Sequence, residues 1–372
     1  MTINNLNVNP HRIEQTRNYK TIFTQLNFLL MLTCVILFAY PYSVFSAPKT
    51  PSQALPKMFQ QPTGMDYYDF KKQEKVIPNL PSIDVQQQED TGIEIIPETL
   101  IILAPKELQK IISLEKFQEG IVGVPQSIKS LYAIALKIEK EFNDKGFPLV
   151  RVILPVQELE QEQATIFFKV INGFIEKIDL TKVPKKQILR TYSYLKPLIN
   201  KKSLSLKEIE RRLLLASNSA GISLSSSLAA GTKEGGTRLV LEASHKLLSG
   251  GINFDNTQSR ELGHQQGQAR TVVSSPLGLG ETISLFGLSR PTFKGMSGTG
   301  IEVPIRAGGV SISAPVGDNG LTAGVSYLES MTRPGGNVSE LGLEANMKSA
   351  TATVSYPLVY QRNLAIFARG SI

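Results

Sequence analysis

From about Ser244 to Ile372 apolar and polar residues alternate, and no helical period survives. Val310, Ile312, Ala314 and Val316 oppose Ser311 and Ser313. Leu321, Ala323, Val325 and Tyr327 oppose Thr322, Gly324 and Ser326. Leu341, Leu343, Ala345 and Met347 oppose Gly342, Glu344, Asn346 and Lys348, and Leu364, Ile366 and Ala368 oppose Ala365, Phe367 and Arg369. In TATVSYPL (Thr351 to Leu358), Ala352, Val354, Tyr356 and Leu358 share one parity. A strand sends successive side chains to opposite faces, so the pattern predicts strands that are oily on one side. LGLEANM and TATVSYPL differ in register by one residue near Lys348 to Ala350, which predicts a bulge or a tight turn there. Six complete strands are expected between residues 244 and 358, with a seventh running to Ile372. Either a second sheet or lipid must cover their apolar face.

The connections bear on that choice. SPLGLGE (275–281), APVGDNG (314–320) and YPLVYQRN (356–363) are short and each holds a proline. DNTQSRELGHQQG (255–267), the segment 290–309 and ESMTRPGGN (329–337) are longer and polar. Alternating short and long connections are expected of an up-and-down membrane barrel, not of a Greek-key sandwich. There is no Trp for an aromatic belt, and Tyr327, Tyr356, Tyr360 and Phe367 are the candidates to replace it.

Upstream the period changes. TLIIL reads as a strand, and Ile128, Leu131, Ala135, Ile138 and Phe142 recur at helical spacing up to a stop at Gly146. PLVRVIL and ATIFFKVI read as strands, and Asn172-Gly173 predicts a hairpin turn into FIEKIDL. The outline then repeats: Ser205 stands three residues before Glu208 as a capping box, Gly221 ends that helix, and ISLSSSLAAG and TRLVLEAS follow as strands. A helix with two strands after it, twice in succession, indicates tandem copies of a small α+β module. Residues 47–98, rich in Pro, Gln and charge, read as an extended linker with a short helix near Tyr67 to Lys75.

The N-terminus reads as a secretion signal. The apolar run from Phe28 to Tyr40 falls short of the roughly 20 residues that a membrane helix needs. Arg12, Arg17 and Lys20 precede it, and Val44 and Ser46 suit a cleavage site near Ser46 or Ala47; an uncleaved anchor is the other reading. Cleavage would remove Cys34, the one cysteine, leaving a mature chain that crosses an oxidising periplasm without disulfides. Charged residues are only 19% of the chain, as a large sheet with one uncharged face requires. The net charge of +8 comes from modest clusters such as Lys182, Lys185 and Lys186, with no basic–aromatic interleaving that would suit nucleic acid. A solvated face explains them, and anionic headgroups or a partner are the other reading.

Three segments, in this order, carry a family resemblance. The first holds Gly146-Phe147, Leu154-Pro155-Val156-Gln157 and Asn172-Gly173; the second is LSLKEIERRLLLASNSAG with the strands after it; the third opens on Asp255-Asn256. Together they resemble the two-partner secretion transporters of the outer membrane, the TpsB or hemolysin secretion/activation family (ShlB, FhaC, HecB). The resemblance implies an α+β part followed by an all-β part: two tandem POTRA domains and the N-terminal half of a transmembrane antiparallel β-barrel. The expected boundaries are a signal peptide (1–46), a linker (47–98), POTRA domain 1 (99–173), POTRA domain 2 (174–243) and first barrel strands (244–372). The family's barrel holds more strands and a Val-Arg-Gly-aromatic loop motif that this sequence lacks, so a truncated or split gene product is expected.

No enzyme chemistry stands out. His11, His245 and His264 have no cysteine and no carboxylate cluster at ligand spacing beside them, and the glycine pairs do not open helices. The expectation is a non-enzyme with no cofactor and no metal, placed in the bacterial outer membrane with its POTRA domains in the periplasm. The resemblance implies a type Vb exporter whose substrate is an unfolded secreted exoprotein and whose other partner is outer-membrane lipid. An extended partner segment is expected to pair with a POTRA sheet edge, and Leu149, Val150, Arg151, Val152, Ile153 and Leu154 are the candidate edge. This strand could instead be an interior member of its sheet. Other readings are a surface adhesin or scaffold with a soluble β-sandwich, an inactive remnant, and a general barrel-assembly protein.

Overall fold

The computed structural model describes residues 94–118, 121–157, 164–256, 265–289, 305–334 and 340–372. The expected signal peptide, the linker up to residue 93 with its short helix, His11, Cys34 and His264 lie outside the described residues.

The first module begins at β1 (Glu94–Ile95) and β2 (Pro97–Leu103), ahead of the expected Thr99. It continues through α1 (Lys106–Gln109), β3 (Gln126–Ser127), α2 (Ile128–Asp144), β4 (Arg151–Ile153) and β5 (Ala164–Ile171). β1 pairs with β3, while β2, β5 and β4 form a sheet in that order, β2 parallel and β4 antiparallel to β5. Helix α2 forms where the period requires it: Ser127 Oγ accepts from Ser130 N at 3.1 Å, and Leu131, Ile134, Ala135, Ile138 and Phe142 are buried along one stripe. Gly146, at φ +87°, turns the chain out of it. The stripe shares one buried core with Ile166, Phe168 and Val170, alternate residues of β5.

The second module repeats this order with β6 (Phe174–Lys182), α3 (Ile188–Leu195), α4 (Leu206–Ser217), β7 (Ile222–Ala230) and β8 (Gly236–His245). Its sheet runs β6-β8-β7, with the first strand parallel to the last, as in the first module. Helix α3 was not legible in the pattern, because two of its four buried residues, Arg190 and Thr191, are polar by type. Asn172-Gly173 does not close a hairpin: β5 and β6 belong to different sheets, so the dipeptide links the two modules.

Seven strands follow: β9 (Leu248–Asp255), β10 (Gln266–Ser274), β11 (Thr282–Ser289), β12 (Ile305–Val316), β13 (Leu321–Thr332), β14 (Ala345–Gln361) and β15 (Leu364–Ser371). Each is antiparallel to its sequence neighbours in one sheet. The register break expected near Lys348 to Ala350 is absent. β14 pairs with β13 without interruption from Ala345↔Thr332 to Ser355↔Thr322, and the irregularity lies at Pro357/Val359. Leu341 and Leu343 precede the strand, and Ala345 and Met347 share the face of Ser349, Thr351 and Thr353, so their apolar parity misled the reading.

The register separates the two faces. Ile283, Ile312, Val325 and Ala352 are neighbours across four strands on one face, beside the row Leu285, Val310, Tyr327 and Ala350. The other face carries Ser284, Ser311, Ser326 and Thr351. Leu285, Ile312, Val325 and Tyr327 are 43–50% exposed, and neither buried hydrophobic cluster includes them. Water would penalise such a face at about 25 cal/mol per Å² of apolar surface. Among the described residues no second sheet covers it, which is the arrangement expected of a barrel wall.

Candidate functional site

Among the described residues β5 is the only strand paired with β4, which makes β4 an edge of the first module's sheet. Of the six candidate residues, Arg151, Val152 and Ile153 form the strand, while Leu149, Val150 and Leu154 flank it. Leu149, Val150 and Val152 are buried, and Ile153 is 37% exposed. Leu149 belongs to the second module's core, packed with residues such as Leu198 and Leu213, whereas Val150 and Val152 belong to the first. The candidate segment thus spans the boundary between two cores.

Two residues that the sequence reading gave no role sit on this edge. Glu139, on α2, accepts from Val152 N through Oε1 at 2.8 Å, and its Oε2 lies 3.6 Å from Arg151 Nη1. Gln157, the last residue of the Leu-Pro-x-Gln motif, takes a hydrogen bond from Phe167 N at 2.9 Å and donates to Phe167 O at 3.2 Å. Its amide pairs with β5 where β4 has ended. The motif pointed to Gln157, but nothing in local spacing links Glu139 to a strand 13 residues away.

Burial pushes the Glu139 carboxyl up from the ordinary carboxylate value, against the pull of the Val152 N–H and of Arg151. Its folded-state pKa lies above the unfolded one, so folding favours the protonated form. The stability it contributes is full below the ordinary carboxylate range and is lost as pH rises through the folded value. Raising pH from below the ordinary carboxylate range to neutral should therefore lower the urea midpoint of wild type relative to that of Glu139→Gln. Equal slopes would refute the assignment.

The modules are tightly joined. Asn172 Oδ1 accepts from Ser203 N at 2.8 Å, and its Nδ2 donates to Ser203 Oγ at 2.9 Å and to Glu107 Oε2 at 3.2 Å. Lys202 Nζ donates to Asn172 O at 3.1 Å and lies 3.9 Å from the Phe174 ring centroid. Leu206 N donates to Gly146 O at 2.8 Å.

The second module in turn holds the short turns of the barrel wall. Gln187 Nε2 donates to Ser275 O at 3.4 Å and its Oε1 accepts from Ser275 Oγ at 3.1 Å, in the turn between β10 and β11. From α4, Arg212 donates to Asp318 O at 2.8 Å in the β12–β13 turn, and Arg211 donates to Pro357 O at 2.9 Å on β14. Tyr360, 2% exposed, enters the module's own core, so it is not part of an aromatic belt; Tyr356 also faces Arg211. Tyr327 remains exposed on the apolar face. His245 Nε2 lies 2.9 Å from Ser274 O, a structural contact. Among the described residues no group of three or more His, Cys, Asp or Glu could hold a metal ion.

No family model matches the chain. The chain is 24% identical over 196 residues to the heme/hemopexin transporter protein HuxB of Haemophilus influenzae, a match covering 51% of this chain and 34% of that relative. CdiB from Escherichia coli superimposes with a TM-score of 0.54 at 16% identity, over 81% of this chain and 54% of CdiB. CdiB from Acinetobacter baumannii gives a TM-score of 0.47 at 16% identity, over 82% of this chain and 62% of that one. The chain thus spans about half of the E. coli structure and a third of the curated relative. With two βααββ modules in tandem and a one-sided apolar sheet after them, the chain shares the fold of CdiB from Escherichia coli over the part that superimposes: two POTRA domains followed by strands of an antiparallel β-barrel.

Proposed function

We propose that the chain serves as the outer-membrane transporter of a two-partner (type Vb) secretion system. Its POTRA domains receive an unfolded exoprotein in the periplasm, and the barrel to which its wall belongs exports it. The observation that supports this reading most is the exposed apolar face of the seven-stranded sheet, whose turns are hydrogen-bonded to POTRA domain 2. An adhesin or scaffold with a soluble sandwich would need a second sheet on that face. Membrane fractionation tests the choice: the mature chain should stay in the membrane through urea and carbonate washes, and release into the soluble fraction would overturn the reading.

The exoprotein segment docks by strand addition at Leu149 to Leu154, supported by the edge position of β4. Val152→Pro removes an N–H that points away from β5, so the β4–β5 ladder survives. Binding of an extended partner should fall about tenfold or more, the worth of a hydrogen bond at a desolvated site. A folded Val152→Pro chain with unchanged partner binding would make the edge assignment wrong.

A further inference from the structure

The edge of POTRA domain 1 is already occupied by the domain's own side chains. Because Val152 N–H is turned to Glu139, alternation along an antiparallel strand turns the N–H groups of Arg151 and Ile153 toward β5. Val152 is therefore the residue of β4 that offers an outward donor, and Glu139 Oε1 holds it at 2.8 Å. On the same edge Arg151 Nη1 donates to Val150 O at 3.3 Å. Where β4 stops at Ile153, the Gln157 amide meets both backbone groups of Phe167. A carboxylate, a guanidinium and an amide thus stand in for a neighbouring strand. Sheet edges are commonly protected from unwanted pairing by charges of this kind.

We propose that Glu139 is a displaceable latch on the β4 edge, which an incoming strand must move off Val152 before it can pair. The inference rests on the docking reading above and adds to it the residue that sets the threshold for docking. Displacement carries a modest net cost, the excess of a hydrogen bond to a carboxylate over one to a backbone carbonyl. The incoming backbone carbonyl replaces Glu139 Oε1 at Val152 N–H, so one acceptor is exchanged for another. The carboxylate, 8% exposed in the latched state, regains water when it swings out. Arg151 flanks it at 3.6 Å and can follow it, which keeps the released charge compensated. Partners with only weak strand propensity would be excluded, because they must outcompete a hydrogen bond to a charged group before gaining their own.

The test uses the full chain in its membrane fraction and a short alternating Thr/Val peptide carrying a photocrosslinker. Glu139→Ala removes the latch. Glu139→Asp keeps the charge but withdraws it by one methylene from Val152 N–H. Glu139→Gln keeps an acceptor of the same reach. Both Glu139→Ala and Glu139→Asp should bind the peptide about tenfold more tightly than wild type, with Glu139→Gln, a neutral acceptor of the same reach, falling between them and wild type. Circular dichroism of each variant controls for folding, and Glu139→Asp serves if Glu139→Ala does not fold. Weakened capture by Val152→Pro together with unchanged capture by Glu139→Ala and Glu139→Asp would overturn the latch and leave the docking edge standing. Capture that responds to none of the substitutions, or no capture by any variant, would overturn the docking reading and the latch with it.

Discussion

Val325→Arg is expected to abolish stable insertion of the chain into the outer membrane. Val325 lies within β13 on the apolar face, between Ile312 on β12 and Ala352 on β14, and is 50% exposed. In lipid that exposed side chain meets acyl chains, and an arginine deep in the bilayer costs about 2–4 kcal/mol on a barrel's outer face. The neighbouring Ser326→Arg provides the comparison, because Ser326 shares the opposite face with Ser311 and Thr351. An arginine on the polar face keeps its hydration and should be tolerated. The measurement is the amount of each variant resistant to carbonate extraction. Equal retention of the two variants would mean that the face turned to lipid has been misassigned, and the barrel reading would fall with it.

Gly173→Ala should separate the two POTRA domains energetically. A Cβ at Gly173 would lie 1.9 Å from the Leu149 carbonyl oxygen, far inside contact, so backbone has to move. The clash involves main chain and cannot be relieved by a rotamer change. Leu149 is itself anchored in the core of the second domain, so a shift there disturbs the contacts of Asn172 with Ser203 and Glu107 as well. The expected loss is about 3 kcal/mol, the upper part of the range for overpacking. Urea unfolding should show the cost, and limited proteolysis should show new cleavage around residues 172–173 that wild type resists. A variant with the wild-type midpoint and cleavage pattern would show that the link is looser than its geometry.

The sheet that carries these predictions was largely legible in the sequence, because a strand in contact with two unlike media must alternate. Val310 to Val316 and Leu321 to Tyr327 show that alternation directly, and both segments are strands. The capped helices were legible for a similar reason: Ser205 accepts from Glu208 N at 3.3 Å through a local contact that spacing alone specifies. Where local pattern and long-range pairing disagreed, pairing prevailed. LGLEANM has a strand's parity, but β13 is long enough to hold β14 in one register from Ala345 to Ser355, and Leu341 and Leu343 fall outside it.

By itself the sequence determined the periods: one-sided strands after residue 244 and two helix–strand–strand modules before it. Only the tertiary structure decided who pairs with whom. Asn172-Gly173 has the composition of a hairpin turn, and it became a link because β5 is flanked by β2 and β4 while β6 lies beside β8. The edge position of β4, the reach of Glu139 to Val152 and the grip of Arg211 and Arg212 on the barrel strands and turns all join residues distant along the chain. Periodicity records which medium a side chain faces. The choice of neighbour is settled by the free energy of closing long loops onto complementary surfaces, which no short window of residues contains.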